Sequence, residues 1–204
     1  MIASAPPANI STLFDALNIS NKNVAGEVIA YQVAPAINAA GRLGESRLPI
    51  DLFLTQSATE AQRFAASIVA LNEQRKVASR SDLDRAMQKV SQAELDQKKC
   101  IVMMGNAGDF QDGILGITAS RLAEIYQVPA LVCCPSSQDP QLLKGSGRGP
   151  KGFNLYRALD SCSSYLEKFG GHAVAAGFSL TTERFALFKR CFEQSVLLQL
   201  LENN

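Results

Sequence analysis

Three stretches of this sequence combine residue types that can grip or polarise a phosphate. In NAAGRLGE (Asn38–Glu45), Asn38 and Arg42 stand four residues apart among small residues, with Gly44 just beyond. The planar fork of arginine suits two-point hydrogen bonding to phosphate, and small neighbours admit a ligand; an ordinary turn with a solvated arginine is the alternative. LKGSGRGPKGF (Leu143–Phe153) gathers four glycines, Ser146 and the cations Lys144, Arg148 and Lys151. Backbone N–H groups, a hydroxyl and a guanidinium together make an anion cradle, although the order of a Walker A loop is absent. A flexible hairpin loop is the other reading. FGGHAVAAGF (Phe169–Phe178) holds the single histidine, His172, after Gly170 and Gly171. Those glycines leave space where a β-carbon would block a ligand, and the imidazole can hydrogen-bond or protonate a phosphoryl oxygen. The alternative is a surface histidine following a helix C-cap.

The chain offers no second histidine and no dense carboxylate cluster. Asp82 and Asp84 form a D-x-D, but on a helix they diverge by about 200°. A two-metal hydrolytic centre therefore cannot be assembled from these residues, and no Ser/His/Asp order stands out. From the residues alone, this is a phosphate-binding surface without a catalytic engine.

The remaining composition is that of an ordinary globular chain: 204 residues, 47% apolar and 19% charged, with net charge +1. So small a charge exerts no global pull on nucleic acid or membrane, and anion binding must come from local clusters. No apolar run approaches the roughly 20 residues that span a bilayer, and MIASAPPANIS lacks the features of a signal peptide. The five cysteines form no C-x-x-C pair. Buried reduced thiols and a cytoplasmic location are expected.

The elements that position these clusters can be read from periodicity. Ser57 and Glu60 have capping-box spacing, and no Gly or Pro follows until Gly105. Apolar residues recur at helical period from Ala61 to Val90, so a long connector helix is expected over 57–98, roughly 50–60 Å long, with a break near Ser79–Ser81 as the alternative. CIVMMG (Cys100–Gly105) and ALVCCP (Ala130–Pro135) read as buried strands, as do Gln141–Gly147 and Ala176–Leu180. Ile114–Tyr126, Asn154–Lys168 and Thr182–Leu201 read as helices. The expected architecture is α/β: a small lobe over 1–56, the connector, then a mixed-sheet domain flanked by helices over 99–204.

In this order, the clusters resemble the RecJ family of single-stranded-DNA exonucleases. APAINAAGRLGE is similar to the family's NAAGR segment. GILGITASRLAE (Gly113–Glu124) and GSGRGPKGFNLYRAL (Gly145–Leu159) are similar to the next two signatures, and FGGHAVAAGFSL to the GGH signature of the DHH-associated domain. The resemblance implies that Arg42, Ser146 and Arg148 hold the 5′ end and backbone phosphates of single-stranded DNA. It also implies that His172 faces the scissile phosphate as an auxiliary catalytic group, that Gly170 and Gly171 admit the nucleotide, and that Asn38 braces its segment. The family's Mn2+ or Mg2+ ions sit in an N-terminal DHH domain, a partner missing from this chain, so no cofactor is expected on the chain itself and activity in isolation is not expected.

Four positions depart from the family pattern: Ala36 replaces an arginine, Phe110 and Gln111 stand where Trp-His is common, and Gly149 replaces a serine. Two alternatives remain. One is a fragment of a nanoRNA or cyclic-dinucleotide phosphoesterase of the DHH superfamily, against which the long helix and NAAGR segment argue. The other is a non-catalytic nucleic-acid-binding module. With 7% aromatic residues and no Trp, binding is expected to be phosphate-driven and salt-sensitive, with Phe153 and Tyr156 the obvious stacking candidates.

Overall fold

The computed structural model describes residues 7–20 and 24–202, and the chain divides into two compact units, Met1–Ala78 and Ser79–Asn204. The first unit is helical. It contains α1 (Ala8–Ala16), α2 (Gly26–Val28), a π-helical stretch (Ile29–Val33), α3 (Ala34–Arg42), α4 (Arg47–Leu54) and the first part of α5 (Ala58–Gln88). The π-helical stretch has a local cause. Pro35 has no N–H and its ring crowds the carbonyl one turn back, so the helix widens just before it. Leu13, Phe14, Val33, Ala36, Leu52, Ala61, Ala65 and Ile68 form this unit's core.

The Ser57 hydroxyl accepts the Glu60 N–H at 3.4 Å, which is half of the expected capping box. The Glu60 carboxylate does not return the bond to the Ser57 backbone. It accepts the Thr55 hydroxyl at 2.6 Å, and Thr55 Oγ1 in turn accepts the Ser57 N–H at 3.1 Å. The connector is not one helix over 57–98. α5 ends at Gln88, and α6 (Gln92–Lys98) restarts after Ser91, whose side chain accepts the Glu94 N–H. The break is thus a second S-x-x-E cap at Ser91 and Glu94, and no break occurs at Ser79–Ser81.

The second unit holds a five-stranded sheet of order β1-β2-β3-β5-β4, made of β1 (Ile101–Met104), β2 (Ala130–Pro135), β3 (Leu142–Arg148), β4 (Lys168–His172) and β5 (Ala175–Thr181). Only β1 and β2 are parallel, because α7 (Leu115–Tyr126) crosses between them; the other pairs are antiparallel. The mixed α/β class read from the sequence is the observed one. One sheet face packs on α8 (Leu155–Asp160) and α9 (Phe185–Glu202) through Leu143, Phe178, Leu180, Phe188 and Phe192. The other face meets α7 near β1 and β2 through Leu115, Ala119, Leu122 and Val132.

The helix expected over Asn154–Lys168 ends at Asp160, and KFGGH, read as following a helix cap, is the edge strand β4. All five cysteines are free, and four of them are buried. Burial pushes the Cys100 and Cys134 thiols up to about 12, which keeps them protonated at neutral pH. No described helix is long and apolar enough to cross a membrane.

Candidate functional site

The strands β3, β5 and β4 lie side by side in a register that sorts the signature residues by face. Successive side chains on a strand alternate between faces, and paired residues share a face. Three rungs follow: Arg148–Ala175–His172, Ser146–Gly177–Gly170, and Lys144–Ser179–Lys168. At standard strand spacing these cover a patch of about 10 by 14 Å. Arg148, Lys144 and Lys168 occupy three corners and His172 the fourth, Ser146 and Ser179 supply hydroxyls, and the centre carries almost no side chain. Lys144 Nζ lies 3.6 Å from an Asp112 carboxylate oxygen at the margin. The structure therefore brings Ser146, Arg148, Gly170 and His172 onto one surface.

The glycines divide by face. A β-carbon at Gly170 would meet nothing within 4 Å, and one at Gly177 would meet only the Gly145 carbonyl oxygen at 3.8 Å. Both residues are exposed, so packing does not require them to be glycine. Glycine inside a strand weakens it, and two bare positions side by side leave the centre of this face open. Gly145 and Gly147 behave oppositely. A β-carbon at Gly145 would lie 2.1 Å from the Phe178 ring, and one at Gly147 would lie 2.3 Å from Leu131 Cδ2. The glycines of G-S-G-R are thus packing residues within a strand paired on both sides, not the flexible, amide-exposing cradle read from the sequence. Gly171 lies on the opposite side of β4 from Gly170 and is exposed, yet with φ at +147° and the Ala175 oxygen 2.3 Å from where a β-carbon would sit, only glycine fits.

Arg148 is held rather than loose. Its Nη1 donates to the Gly147 carbonyl at 2.7 Å and to Ser146 Oγ at 3.4 Å. Gly116, in the first turn of α7, comes so close that a β-carbon there would sit 3.1 Å from Ser146 Oγ and 3.2 Å from Arg148 Nη2. The positive end of α7 therefore lies against the same two side chains. The turn carrying His172 is tied down from the preceding loop: Gly149 N–H donates to the Val174 carbonyl at 3.1 Å, and Leu155 N–H to the Ala173 carbonyl at 2.8 Å. At Gly149, where the family pattern has serine, a β-carbon would come within 3.0 Å of Phe153 Cδ1 and 3.3 Å of the Ala173 oxygen. Lys151 lies in a shallow groove beside Arg148, with Ser120, Gln127 and Val174.

In the first unit, NAAGR is helix rather than turn. Asn38 and Arg42 share the exposed face of α3, while Ala36, Ala39 and Ala40 are fully buried. Gly44, at φ +91°, ends the helix: its N–H donates to Gly41, and the Glu45 N–H reaches the Ala40 carbonyl at 2.8 Å, a Schellman closure. Gly44 is therefore a cap, required by its backbone conformation, and a β-carbon would meet nothing within 4 Å at either Gly41 or Gly44. Ala36 is 0% exposed, so an arginine at that position could not be accommodated without moving the core.

The two proposed stacking residues do not join the sheet patch. Phe153 is buried, and Tyr156 packs on Phe169 with ring centroids 5.7 Å apart; Phe169 points to the opposite face from Gly170 and His172. Residues missed in the sequence are Gly116, Lys168, Gly177 and Ser179. The signal for three of them was a period of two, K-x-G-x-H in β4 and A-x-G-x-S in β5. For Gly116 it was a glycine inside a helix, a cost of about 1 kcal/mol that close packing here explains. Among the described residues, no group of three or more His, Cys, Asp or Glu side chains is placed to hold a metal ion. The described residues therefore offer no donor set that fits a catalytic metal centre.

These features define a known domain class: residues 96–196 match the DHHA1 domain, and the chain contains one. The wider chain is similar to single-stranded-DNA-specific RecJ exonucleases. It is 36% identical over 157 residues to that of Bacillus subtilis, covering 77% of this chain and 20% of the relative. It is 30% identical to that of Escherichia coli, covering 92% of this chain and 33% of the relative. Among solved structures, RecJ of Thermus thermophilus in complex with Mg2+ matches with a TM-score of 0.81 and 29% identity, over 93% of this chain and 28% of that one. An exonuclease RecJ bound to manganese matches with a TM-score of 0.78 and 28% identity, over 93% of this chain and 45% of that one. The chain thus spans between 20% and 33% of the length of these two curated relatives.

Proposed function

We propose that this chain is the single-stranded-DNA-binding portion of a RecJ-like 5′→3′ exonuclease, and that hydrolysis in the complete protein depends on Mn2+ or Mg2+ held by a DHH domain outside this chain. The observation that carries the proposal is the bare rung Ser146–Gly177–Gly170, bounded by Arg148, His172, Lys144 and Lys168 on one sheet face. A phosphodiester backbone can approach such a surface closely, take hydrogen bonds from Ser146 and Arg148, and be drawn by the positive end of α7. Arg42, with Asn38 beside it, offers a further phosphate contact on its own unit. His172 stands on the same rung as Arg148, about 10 Å away across β5, where it can serve as the auxiliary group at the scissile phosphate. The connector helix and the division into lobe, connector and DHHA1 domain belong to the same proposal, as does a cytoplasmic DNA-repair or recombination role.

The NAAGR helix favours this reading over a nanoRNA or cyclic-dinucleotide phosphoesterase. Fluorescence anisotropy of the chain with 5′-phosphorylated and 5′-hydroxyl single strands at two salt concentrations tests it. Binding should weaken with salt and prefer the 5′-phosphate. Arg148→Ala should lower affinity roughly tenfold, the size expected for losing charge-assisted hydrogen bonds. Equal, salt-insensitive affinity for both strands, or none for either, overturns the proposal.

A further inference from the structure

We propose that Arg75, on α5, is a second phosphate-binding cation of the first unit, acting with Arg42 on the backbone of a bound single strand; this deepens the reading of the NAAGR segment and rests on it. The buried stripe of α5, Ala61, Ala65 and Ile68, lies in the same apolar cluster as Ala36 and Ile37 of α3. The stripe continues at helical spacing into Asn72 and Arg75. Asn72 is only 5% exposed, an amide where the stripe would otherwise call for an aliphatic side chain. Its Oδ1 accepts from Arg75 Nε at 3.3 Å and from Nη2 at 3.0 Å. One oxygen thus takes two of the five guanidinium N–H groups, fixing the plane of the fork and leaving the others for a partner.

That arrangement positions the charge without neutralising it. Among the described residues no carboxylate pairs with Arg75, and Glu73, which acts on it through space, is bonded to Lys76 at 2.7 Å. Burial, and then the like charge of Arg42, both lower the Arg75 pKa from its ordinary value. A guanidinium does not give up its proton under such pressure, so Arg75 keeps its charge. A phosphate brought to the open N–H groups of Arg75 would supply the counter-charge that Asn72 does not. Fixing a long side chain on a neutral amide, close to another cation, also costs rotamer entropy that an internal salt bridge would have offset.

The test is the salt dependence of single-strand binding by the chain, with Arg75→Gln, Asn72→Asp and Arg148→Ala beside the wild type. Each phosphate contact on a single strand contributes about 0.7 to the slope of log K against log salt. Arg75→Gln should reduce the slope by about that amount and affinity severalfold. Asn72→Asp keeps the shape but gives Arg75 an internal counter-ion, and should reproduce the loss with a melting temperature no lower than that of the wild type. If both variants fold and keep the wild-type slope while Arg148→Ala still weakens binding, Arg75 is structural and the inference fails alone. If the wild type does not bind a single strand, the functional reading fails with it. Should Arg75→Gln not fold, Asn72→Asp decides.

Discussion

The two faces of the β3–β5–β4 sheet use the same residue for opposite reasons. On the face opposite Gly170, Gly145 and Gly171 are glycine because something else fills the space: a Phe178 ring in one case, the backbone of Ala175 and Ala176 in the other. On the open face, Gly170 and Gly177 are glycine although nothing fills theirs. Gly170 and Gly171 are neighbours in sequence, so the motif alone gives them one role. The fold separates them: Gly171 holds β4 against β5, and Gly170 keeps a surface clear. A glycine pair in a signature can therefore join one residue that packing requires to one that it does not, and substitution separates the two.

The largest expected effect is at Gly171. Gly171→Ala must either abandon φ +147° or drive a methyl group into backbone atoms, and should destabilise the fold by about 3 kcal/mol in thermal or denaturant unfolding. Gly145→Ala comes next, at about 1–3 kcal/mol, because the Phe178 ring must leave its place over the glycine. Gly170→Ala should invert the sign. With open space and an unstrained backbone, it should leave stability unchanged or raise it by about 0.5 kcal/mol, while weakening single-strand binding severalfold. Equal destabilisation at 170 and 171 would erase the contrast between the faces. Undiminished binding by Gly170→Ala would remove the functional half of it.

Much of this was legible because apolar runs announce buried strands. CIVMMG and ALVCCP became β1 and β2, and the helical period of Ile114–Tyr126 became α7. β4 was not legible: KFGGH has one large apolar residue and two glycines, and pairing with β5 imposes its extended form. The face on which each signature residue lies depends on that register, so G-S-G-R, although it fell at the end of the strand expected over Gln141–Gly147, also read as an anion cradle or a loop. The helix break after Gln88 was readable in principle from the second S-x-x-E at Ser91, but an uninterrupted run without Gly or Pro outweighed it. Asn72 was invisible as an anchor because nothing in a lone asparagine marks it as buried.

The central claim is that the open face of β3–β5–β4 receives the strand, and glycine-selective 15N labelling tests it most directly. The sequence has 14 glycines, few enough to resolve individually during titration with a short 5′-phosphorylated single strand. Saturable shifts are expected, largest at Gly170 and Gly177, with Gly116 following through its closeness to Ser146 and Arg148. Shifts centred instead on Gly26, Gly105 or Gly108, or no shift at any glycine under saturating strand, would contradict it.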